Sequence, residues 1–296
     1  MTSSWFRTAA VAALLAIAVA PAAAQESILD RPMEKEGWPV EITRRPLTLA
    51  LGMAEVMVPV GINLSKDRAG KPVFLAPSLY YGVSDGVSVG VRHFLGLCVS
   101  GGDNGCPKVY DDVSVDTIWR LYRGSGTDLA LGIALNASPI VDPFTLAGEV
   151  RLIGRITAGP VALAVAPAFT FGLTHRDEAL VKTAPLAFPL ATYQYGFVEY
   201  DAGNKELLAV PVSLQLQATP SALIAVSATL DGPLNPAAGS FSDLYTIPVG
   251  AALVLSPTNM LDVGASFTFL NLAGKQATGT ARADARGMQV FVAYRL

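Results

Sequence analysis

Charged residues are scarce in this chain. Asp, Glu, Lys and Arg make up 15% of its 296 residues, with a formal net charge of −3, whereas soluble domains average roughly one quarter. The mildly acidic balance, without a basic stripe, excludes nucleic acid as an expected partner. Hydrophobic residues make up 51% of the sequence. This composition favours a membrane protein, built either from helical spans or from lipid-facing strands.

Cysteine is nearly absent. The two cysteines, Cys98 and Cys106, flank a Gly-rich segment. In an exported chain such a pair favours a disulfide, with two free thiols as the alternative. The segment contains no further Cys or His to complete a tetrahedral metal site, so we expect no metal.

The N-terminus has the features of a secretory signal peptide over residues 1–24. Arg7 supplies the positive charge, an apolar run follows, and small residues precede Gln25 at the cleavage site. The apolar run is too short to span a bilayer. Residues 25–46 are polar and interrupted by proline. We interpret them as a periplasmic N-terminal lead-in, with entry into the lumen of a barrel as the alternative.

From residue 47 to residue 296, apolar residues alternate with small or polar ones, as in Val87–Arg92. The uncharged stretches 209–230 and 244–261 approach helix-spanning length, but turn residues around Pro220 and Pro257 interrupt them, which favours β-hairpins. The pattern predicts about twelve strands of roughly ten residues, near 47–64, 72–82, 87–96, 111–123, 127–137, 143–157, 160–173, 206–218, 221–231, 242–255, 260–272 and 286–296.

The connections alternate between short turns and longer polar loops. An even strand count places all short turns, with both termini, on one side. The alternation slips at Gly52, which predicts a bulge in the first strand. Residues 190–200 are also strand-like and are expected to extend a hairpin, or else to change the count to ten or fourteen. The predicted fold is an all-β, transmembrane, antiparallel up-and-down β-barrel over residues 47–296.

Charged residues fall on the less apolar face of the predicted strands, as do Tyr122, Gln215 and Gln217. Since a charge near the bilayer midplane costs about 2–4 kcal/mol, this face is expected to line the lumen. Arg295 is expected to have Asp262 and Glu55 as its neighbours. The charges either pair to fill a narrow barrel or form a polar pore whose arginines tune the passage of small solutes. The predicted lumen-lining charged residues are Glu55, Arg92, Asp116, Arg120, Glu149, Arg151, Arg155, Asp262 and Arg295.

Aromatic residues fall on the opposite, apolar face, near the two ends of the strands. Two such girdles are typical of the membrane–water interfaces of transmembrane barrels. The predicted interface aromatics are Tyr81, Trp119 and Tyr294 at the periplasmic edge, and Phe144, Phe169, Phe171, Tyr245, Phe267 and Phe269 at the outer edge.

The chain ends with apolar residues at alternate positions, with the aromatic Tyr294 third from last and Leu296 at the end. In this ending and in its strand pattern the chain resembles the Gram-negative outer-membrane β-barrel proteins, a porin-like superfamily. Leu296 departs from the Phe that usually ends the family's chains. The resemblance implies an outer-membrane location, contact with outer-membrane lipids, and insertion by the barrel-assembly machinery.

Motifs for catalysis or cofactor binding are lacking: the sequence contains no G-x-S-x-G, H-E-x-x-H or P-loop. His175 lies next to Asp177 and Glu178, but no Ser is near it in sequence, so we interpret this group as a solvated loop cluster. We therefore expect no enzyme and no cofactor, and predict a porin-like passive channel for small solutes or a structural barrel. The alternatives are an outer-membrane enzyme of the lipase or protease type, and a surface binding protein that uses the 174–205 loop.

Overall fold

The computed structural model describes residues 35–65, 69–71, 73–93, 97–100, 112–124, 126–138, 140, 144–176, 183–187, 193–197, 204–236, 239–275 and 283–296. Its strands are β1 (Ala54–Asn63), β2 (Val73–Leu75), β3 (Ser78–Ser84), β4 (Val87–Arg92), β5 (Leu97–Ser100), β6 (Val113–Gly124), β7 (Thr127–Ala137), β8 (Leu146–Ala158), β9 (Val161–Val165), β10 (Ala168–Gly172), β11 (Thr183–Ala187), β12 (Tyr193–Phe197), β13 (Leu207–Thr219), β14 (Ala222–Pro233), β15 (Val249–Leu255), β16 (Leu261–Phe269) and β17 (Arg286–Arg295).

The strands form a closed antiparallel barrel of 12 strands, which confirms the predicted fold class. Each wall strand pairs with its neighbour in sequence, and β17 pairs with β1 to close the sheet. Three wall strands consist of two segments each, namely β2 with β3, β4 with β5, and β9 with β10. Pro77 and Pro167 lie in two of these interruptions, where their missing N–H removes a ladder hydrogen bond.

The two faces of the wall differ as the alternation predicts. Along β13, Val212, Leu214 and Leu216 are exposed on the outside, whereas Ser213 and Gln215 between them are buried inside. The same inward–outward alternation continues through β14 and β17. An apolar exterior around a polar interior is the arrangement of a transmembrane barrel.

The connections sort by length, as expected. The turns between β3 and β4, β6 and β7, β8 and β9, β13 and β14, and β15 and β16 lie at one end, together with the start of β1 and the end of β17. We call this the short-turn end. The longer connections lie at the other, long-loop end, and one of them contains the antiparallel β11–β12 hairpin. That hairpin includes part of the strand-like stretch at residues 190–200.

The first strand is shorter than expected. Residues 47–53 do not belong to β1, which begins at Ala54. The bulge expected at Gly52 is instead a turn: Gly52 has a φ of 72°, and its N–H donates to the Gly82 carbonyl at 2.7 Å. A positive φ favours glycine because it has no Cβ. The phase slip was therefore real, but it marks the end of an N-terminal segment rather than an irregularity within a strand.

Tyr122 does not share the buried face of β6. The pairing of β6 with β7 shifts register between Arg120 and Tyr122, and Tyr122 is 53% exposed. The extra residue of a bulge reverses which side chains point inward. Arg123 faces the N-terminal segment instead, where it donates to the Arg44 carbonyl at 3.1 Å. The prediction for Tyr122 was wrong because alternation alone cannot locate a bulge.

The N-terminal segment, residues 35–53, contributes to the packed interior. It contains two 3-10 turns, Lys35–Gly37 and Ile42–Arg44. Two apolar clusters join this segment to the inward face of the wall. In the first, Trp38, Leu49, Ala50 and Met53 pack with Tyr80, Ile118, Ala130 and Ile153; in the second, Ile42 packs with Leu223, Ala225, Val254, Phe291 and Ala293.

Helix is rare in the described part of the chain. It is limited there to the 3-10 turns and to α1 (Phe241–Leu244), whose N-terminus is capped by Ser240 and Asp243. No helix among the described residues is long and apolar enough to cross a bilayer.

Cys98 lies on β5, and no cysteine among the described residues is free. Cys106 lies outside the described residues, as do residues 1–34. The disulfide, the signal peptide over residues 1–24 and the domain boundaries at residues 25–46 therefore stay predictions.

Candidate channel lumen

The N-terminal segment lies inside the short-turn end of the barrel. The Thr43 N–H donates to the Gln217 side chain of β13 at 3.3 Å, and the Leu49 N–H donates to the Ser88 hydroxyl of β4 at 2.8 Å. Because these strands lie far apart around the sheet, a segment that contacts both must cross the lumen. For the described residues 35–46, the structure thus supports entry into the lumen, the alternative left open by the sequence.

Arg45 anchors the segment to the wall. Its guanidinium contacts both carboxylate oxygens of Asp262, with Nη1 to Oδ2 at 2.5 Å and Nη2 to Oδ1 at 3.0 Å, and Nη2 donates to the Ser256 hydroxyl at 3.2 Å. The Arg45 side chain is fully buried. Burial lowers the pKa of Arg45, and its hydrogen bond to Asp262 opposes that shift. The group stays charged at neutral pH because a guanidinium is too basic to lose its proton in a protein.

Asp262 binds both Arg45 of the N-terminal segment and Arg295 of the last strand, where the barrel closes. Arg295 of β17 lies 2.7 Å from Asp262 Oδ2 and 2.6 Å from Glu55 Oε2, both measured from Arg295 Nη2. The neighbours expected for Arg295 are therefore the ones that the structure gives it. We call the group Arg45, Glu55, Ser256, Asp262 and Arg295 the seam cluster.

A second attachment joins the segment to β7 and β8. Arg155 donates to the carbonyls of Ile42, at 3.3 Å, and of Arg45. Its Nη2 lies 3.5 Å from Asp128, which also accepts the Leu47 N–H at 3.1 Å. Arginine donors that bind backbone carbonyls fix the path of the segment more precisely than apolar packing would.

The mid-barrel cluster comprises Tyr80, Arg92, Asp116, Glu149 and Arg151, on β3, β4, β6 and β8. Asp116 is fully buried and contacts Arg151, Arg92 Nε at 3.6 Å, and the Tyr80 hydroxyl, which donates at 2.7 Å. Glu149 Oε1 lies 3.5 Å from Arg92 Nη2 and 3.3 Å from Arg151 Nη1. Two arginines and two carboxylates leave the cluster without net charge.

The structure places the predicted lumen residues on the inward face and brings most of them into these contacts. Arg120 is the exception: it lies half-buried beside the bulge in β6 and outside the contacts described above. Most of the predicted lumen charges are therefore paired with charges of opposite sign. Their role in solute passage stays a prediction.

Two charged residues important to this arrangement were missed. Asp128 shares the inward face of β7 with Ala130 and Ala134, so its alternation could have identified it. Arg45 precedes the first strand, where there is no alternation to assign it. No feature of its local sequence distinguishes it from a surface arginine.

Seven of the nine predicted interface aromatics lie on wall strands with their side chains on the outer face, whereas Phe144 and Tyr245 precede β8 and β15 and lie outside the wall strands. Tyr81, Trp119 and Tyr294 are exposed near the short-turn end, and Phe144, Phe169 and Phe267 are exposed toward the long-loop end. Phe171, Tyr245 and Phe269 are half-buried. Phe171 stacks on Phe169, Phe269 packs edge-on against Phe267, and Tyr245 stacks on Phe241. Their anchoring in lipid headgroups stays a prediction.

His175 lies at the long-loop end with a φ of 46°, and its Nδ1 is 2.8 Å from the Phe144 carbonyl oxygen. Asp177 and Glu178, its expected partners, lie outside the described residues. Within the described ranges, no group of three or more Asp, Glu, His or Cys residues could hold a metal ion.

Solved porin structures share this fold. The NanC porin matches with a TM-score of 0.54 and 9% identity over 81% of this chain and 100% of its own. An outer membrane channel from Pseudomonas putida F1 matches with a TM-score of 0.51 and 8% identity over 84% of this chain and 97% of its own. The KdgM porin matches with a TM-score of 0.50 and 8% identity over 81% of this chain and 98% of its own. No protein-family model matches the chain, and no curated protein matches it.

Proposed function

We propose that this protein is a porin-like channel of the Gram-negative outer membrane, through which small polar solutes diffuse passively. The observation that carries the proposal is the opposite polarity of the two faces of one closed sheet. Val212, Leu214 and Leu216 are exposed outside, while Ser213 and Gln215 lie inside. An enclosed polar interior within an apolar exterior is what a water-filled path for polar solutes requires.

The charges of the lumen point to weak discrimination between ions. Arg92 and Arg151 are matched by Asp116 and Glu149 in the mid-barrel cluster. On β13–β17 the charged Asp262 and Arg295 pair with each other, and the lining includes neutral polar residues, with Ser213, Gln215, Thr229, Ser266, Thr268 and Gln289 all buried. Selectivity for anions or cations requires an excess of one sign along the path. The proposed solutes are therefore small and polar, with no strong preference for either charge.

We further propose that the barrel has no catalytic activity of its own. In the described part of the chain, His175 contacts a backbone carbonyl rather than a serine or a carboxylate, which supports this. The matched solved structures are named as porins and as a channel. We accordingly expect the unmodified protein and its His175→Ala variant to hydrolyse phospholipid and peptide no faster than empty vesicles do.

Single-channel recording in planar bilayers tests the channel proposal. The mature protein is compared with a variant that lacks residues 25–50, and heat-modifiability on gels verifies that each is folded. Discrete conductance steps in the deletion variant, with similar permeability to K⁺ and Cl⁻, are the expected result. Folded protein that conducts in neither form would contradict the proposal and favour a structural barrel.

A further inference from the structure

We propose that residues 38–50 are a displaceable plug, which closes the short-turn end of the barrel and must move aside before solute can pass. This inference rests on the proposed channel function. The plug belongs to no wall strand, and it crosses the lumen between β4 and β13 through the hydrogen bonds of Leu49 and Thr43. Trp38, Ile42 and Leu49 within it are buried against the wall.

We call Arg45 the latch of the plug because its side chain binds the wall and also binds two backbone carbonyls of the segment itself. Its Nη atoms contact Asp262 and Ser256, while its Nε donates to the Pro39 carbonyl at 2.9 Å and Nη2 donates to the Val40 carbonyl at 2.9 Å. Withdrawing the segment would break the wall contacts. Charge-assisted hydrogen bonds of this kind are about twice as strong as neutral ones.

The wall can lose the plug without leaving a carboxylate unpaired. When Arg45 departs, Asp262 keeps Arg295, which also keeps Glu55. Asp128 likewise keeps Arg155 when the Leu47 N–H leaves it. A buried ion pair is costly to break when one partner remains alone, and this arrangement avoids that cost.

The remaining polar contacts of the plug can be replaced by water. Arg155, Thr157 and Arg123 of the wall donate to the carbonyls of Ile42, Arg45, Thr43 and Arg44. Wall donors and plug carbonyls both gain water partners when the lumen floods, so the net cost of exchanging these bonds is small.

Beside the plug there is already open space. A cleft of about 320 Å³ lies between the segment and the β6–β7 turn, lined by Thr43, Arg44, Arg123, Asp128 and Thr157 among others. The plug therefore has open space beside it on the side of β6–β8, where Arg155, Asp128 and Thr157 also hold it. Release of the seam contact removes its bidentate ion pair with the wall and shifts the equilibrium toward displacement into the cleft or out of the barrel.

Single-channel recording of Arg45→Met tests the latch. The substitution removes the hydrogen bonds to Asp262 and Ser256 but keeps an unbranched side chain. Loss of several charge-assisted bonds predicts a ratio of open to closed time at least about tenfold above that of the unmodified protein. The matched control is Glu41→Gln on the same segment, whose half-buried carboxylate pairs with the exposed Arg44 at 3.6 Å. The control is expected to behave as the unmodified protein.

A crosslinked variant tests the opposite change. The double variant Thr43→Cys/Thr157→Cys places one cysteine on the plug and one on the wall. The two positions are neighbours, because the Thr157 hydroxyl donates to the Thr43 carbonyl at 3.3 Å. Oxidation, or a short bifunctional maleimide, is expected to hold the plug in place and to abolish openings. Reduction of the oxidised variant restores them. The unmodified protein under the same reductant controls for Cys98 and Cys106.

Labelling separates failure of the plug from failure of the channel. A single Thr43→Cys is exposed to a water-soluble maleimide with and without Arg45→Met. Faster labelling in the double variant, even without conductance, supports the plug and contradicts the channel. Conductance that neither Arg45→Met nor crosslinking changes, with equal labelling rates, overturns the plug and leaves the channel intact.

Discussion

Arg295 on the last strand and Glu55 on the first face each other directly across the line of barrel closure, with 2.6 Å between Arg295 Nη2 and Glu55 Oε2. The same guanidinium holds Asp262 on β16, so one buried side chain joins three strands. Since Asp262 also binds Arg45, one ionic group contributes both to barrel closure and to the position of the N-terminal segment.

The first prediction concerns that closure. Arg295→Met leaves Glu55 without the partner it has at 2.6 Å, inside the lumen and close to Asp262. Removing one partner of a buried ion pair costs about 3–5 kcal/mol. We expect the free energy of unfolding in detergent, measured by guanidinium titration, to fall by that amount.

Arg176→Met is the matched control for this measurement. Arg176 pairs with Glu206 at the long-loop end, where about half of the arginine side chain is exposed. Exposed pairs contribute less than about 1 kcal/mol. Equal losses from the two substitutions would show that closure does not depend on Arg295.

Tyr80 and Tyr81 provide a second test, on adjacent residues that face opposite sides of β3. Tyr80 is buried and donates to Asp116 at 2.7 Å, whereas Tyr81 is exposed on the outside. A hydrogen bond to a charged group contributes about 1.5–3 kcal/mol. Tyr80→Phe is expected to lower the unfolding free energy by this amount, and Tyr81→Phe by less than about 0.5 kcal/mol. The reverse order would show that the inward and outward faces of β3 are wrongly assigned.

A third prediction tests the outer face. Val226 lies near the middle of β14 and is exposed outside the barrel. An arginine there would enter the hydrocarbon layer, at a cost of about 2–4 kcal/mol. We expect Val226→Arg to lower the free energy of unfolding in vesicles by this amount, measured by reversible refolding.

Leu234→Arg is the control for the outer face. Leu234 is also exposed, but it follows the end of β14 toward the long-loop side. Near the interface the cost of an arginine falls to about 0–1 kcal/mol. A penalty for Leu234→Arg as large as that for Val226→Arg would mean that the exposed face of β14 does not contact hydrocarbon.

Much of the barrel could be predicted from sequence because each wall strand has one lipid-compatible face. Val212, Leu214 and Leu216 alternate with Ser213 and Gln215 because each residue must suit the environment on its own side of the sheet. The same alternation placed Glu55, Asp262 and Arg295 on the inner face, and strand order then made them neighbours.

The predictions that were wrong concern local backbone geometry, which the alternation of apolar and polar residues does not encode. Tyr122 changes face because of a bulge after Arg120, and neither residue type marks that bulge. Gly52 showed a phase slip, but a slip does not distinguish a bulge from the end of a strand; the turn with positive φ decides it.

The position of the N-terminal segment could not be derived from its own residues. Arg45 binds Asp262, 217 positions further along the chain, and its burial depends on a lumen that exists only once the barrel has closed. A polar, proline-interrupted stretch has the same composition whether it lies in the periplasm or inside a barrel. Only the tertiary structure separates these two locations.

We conclude that this chain separates a lipid-facing exterior from an enclosed interior that holds the N-terminal segment. Besides Trp5 in the predicted signal peptide, the chain has two tryptophans, Trp38 inside at 5% exposure and Trp119 outside at 36%. The most direct measurement is fluorescence quenching by brominated lipid in vesicles containing the mature Trp38→Phe or Trp119→Phe variant. We predict strong quenching when only Trp119 remains and none when only Trp38 remains. Quenching of Trp38 by lipid, or protection of Trp119 from it, would contradict the claim.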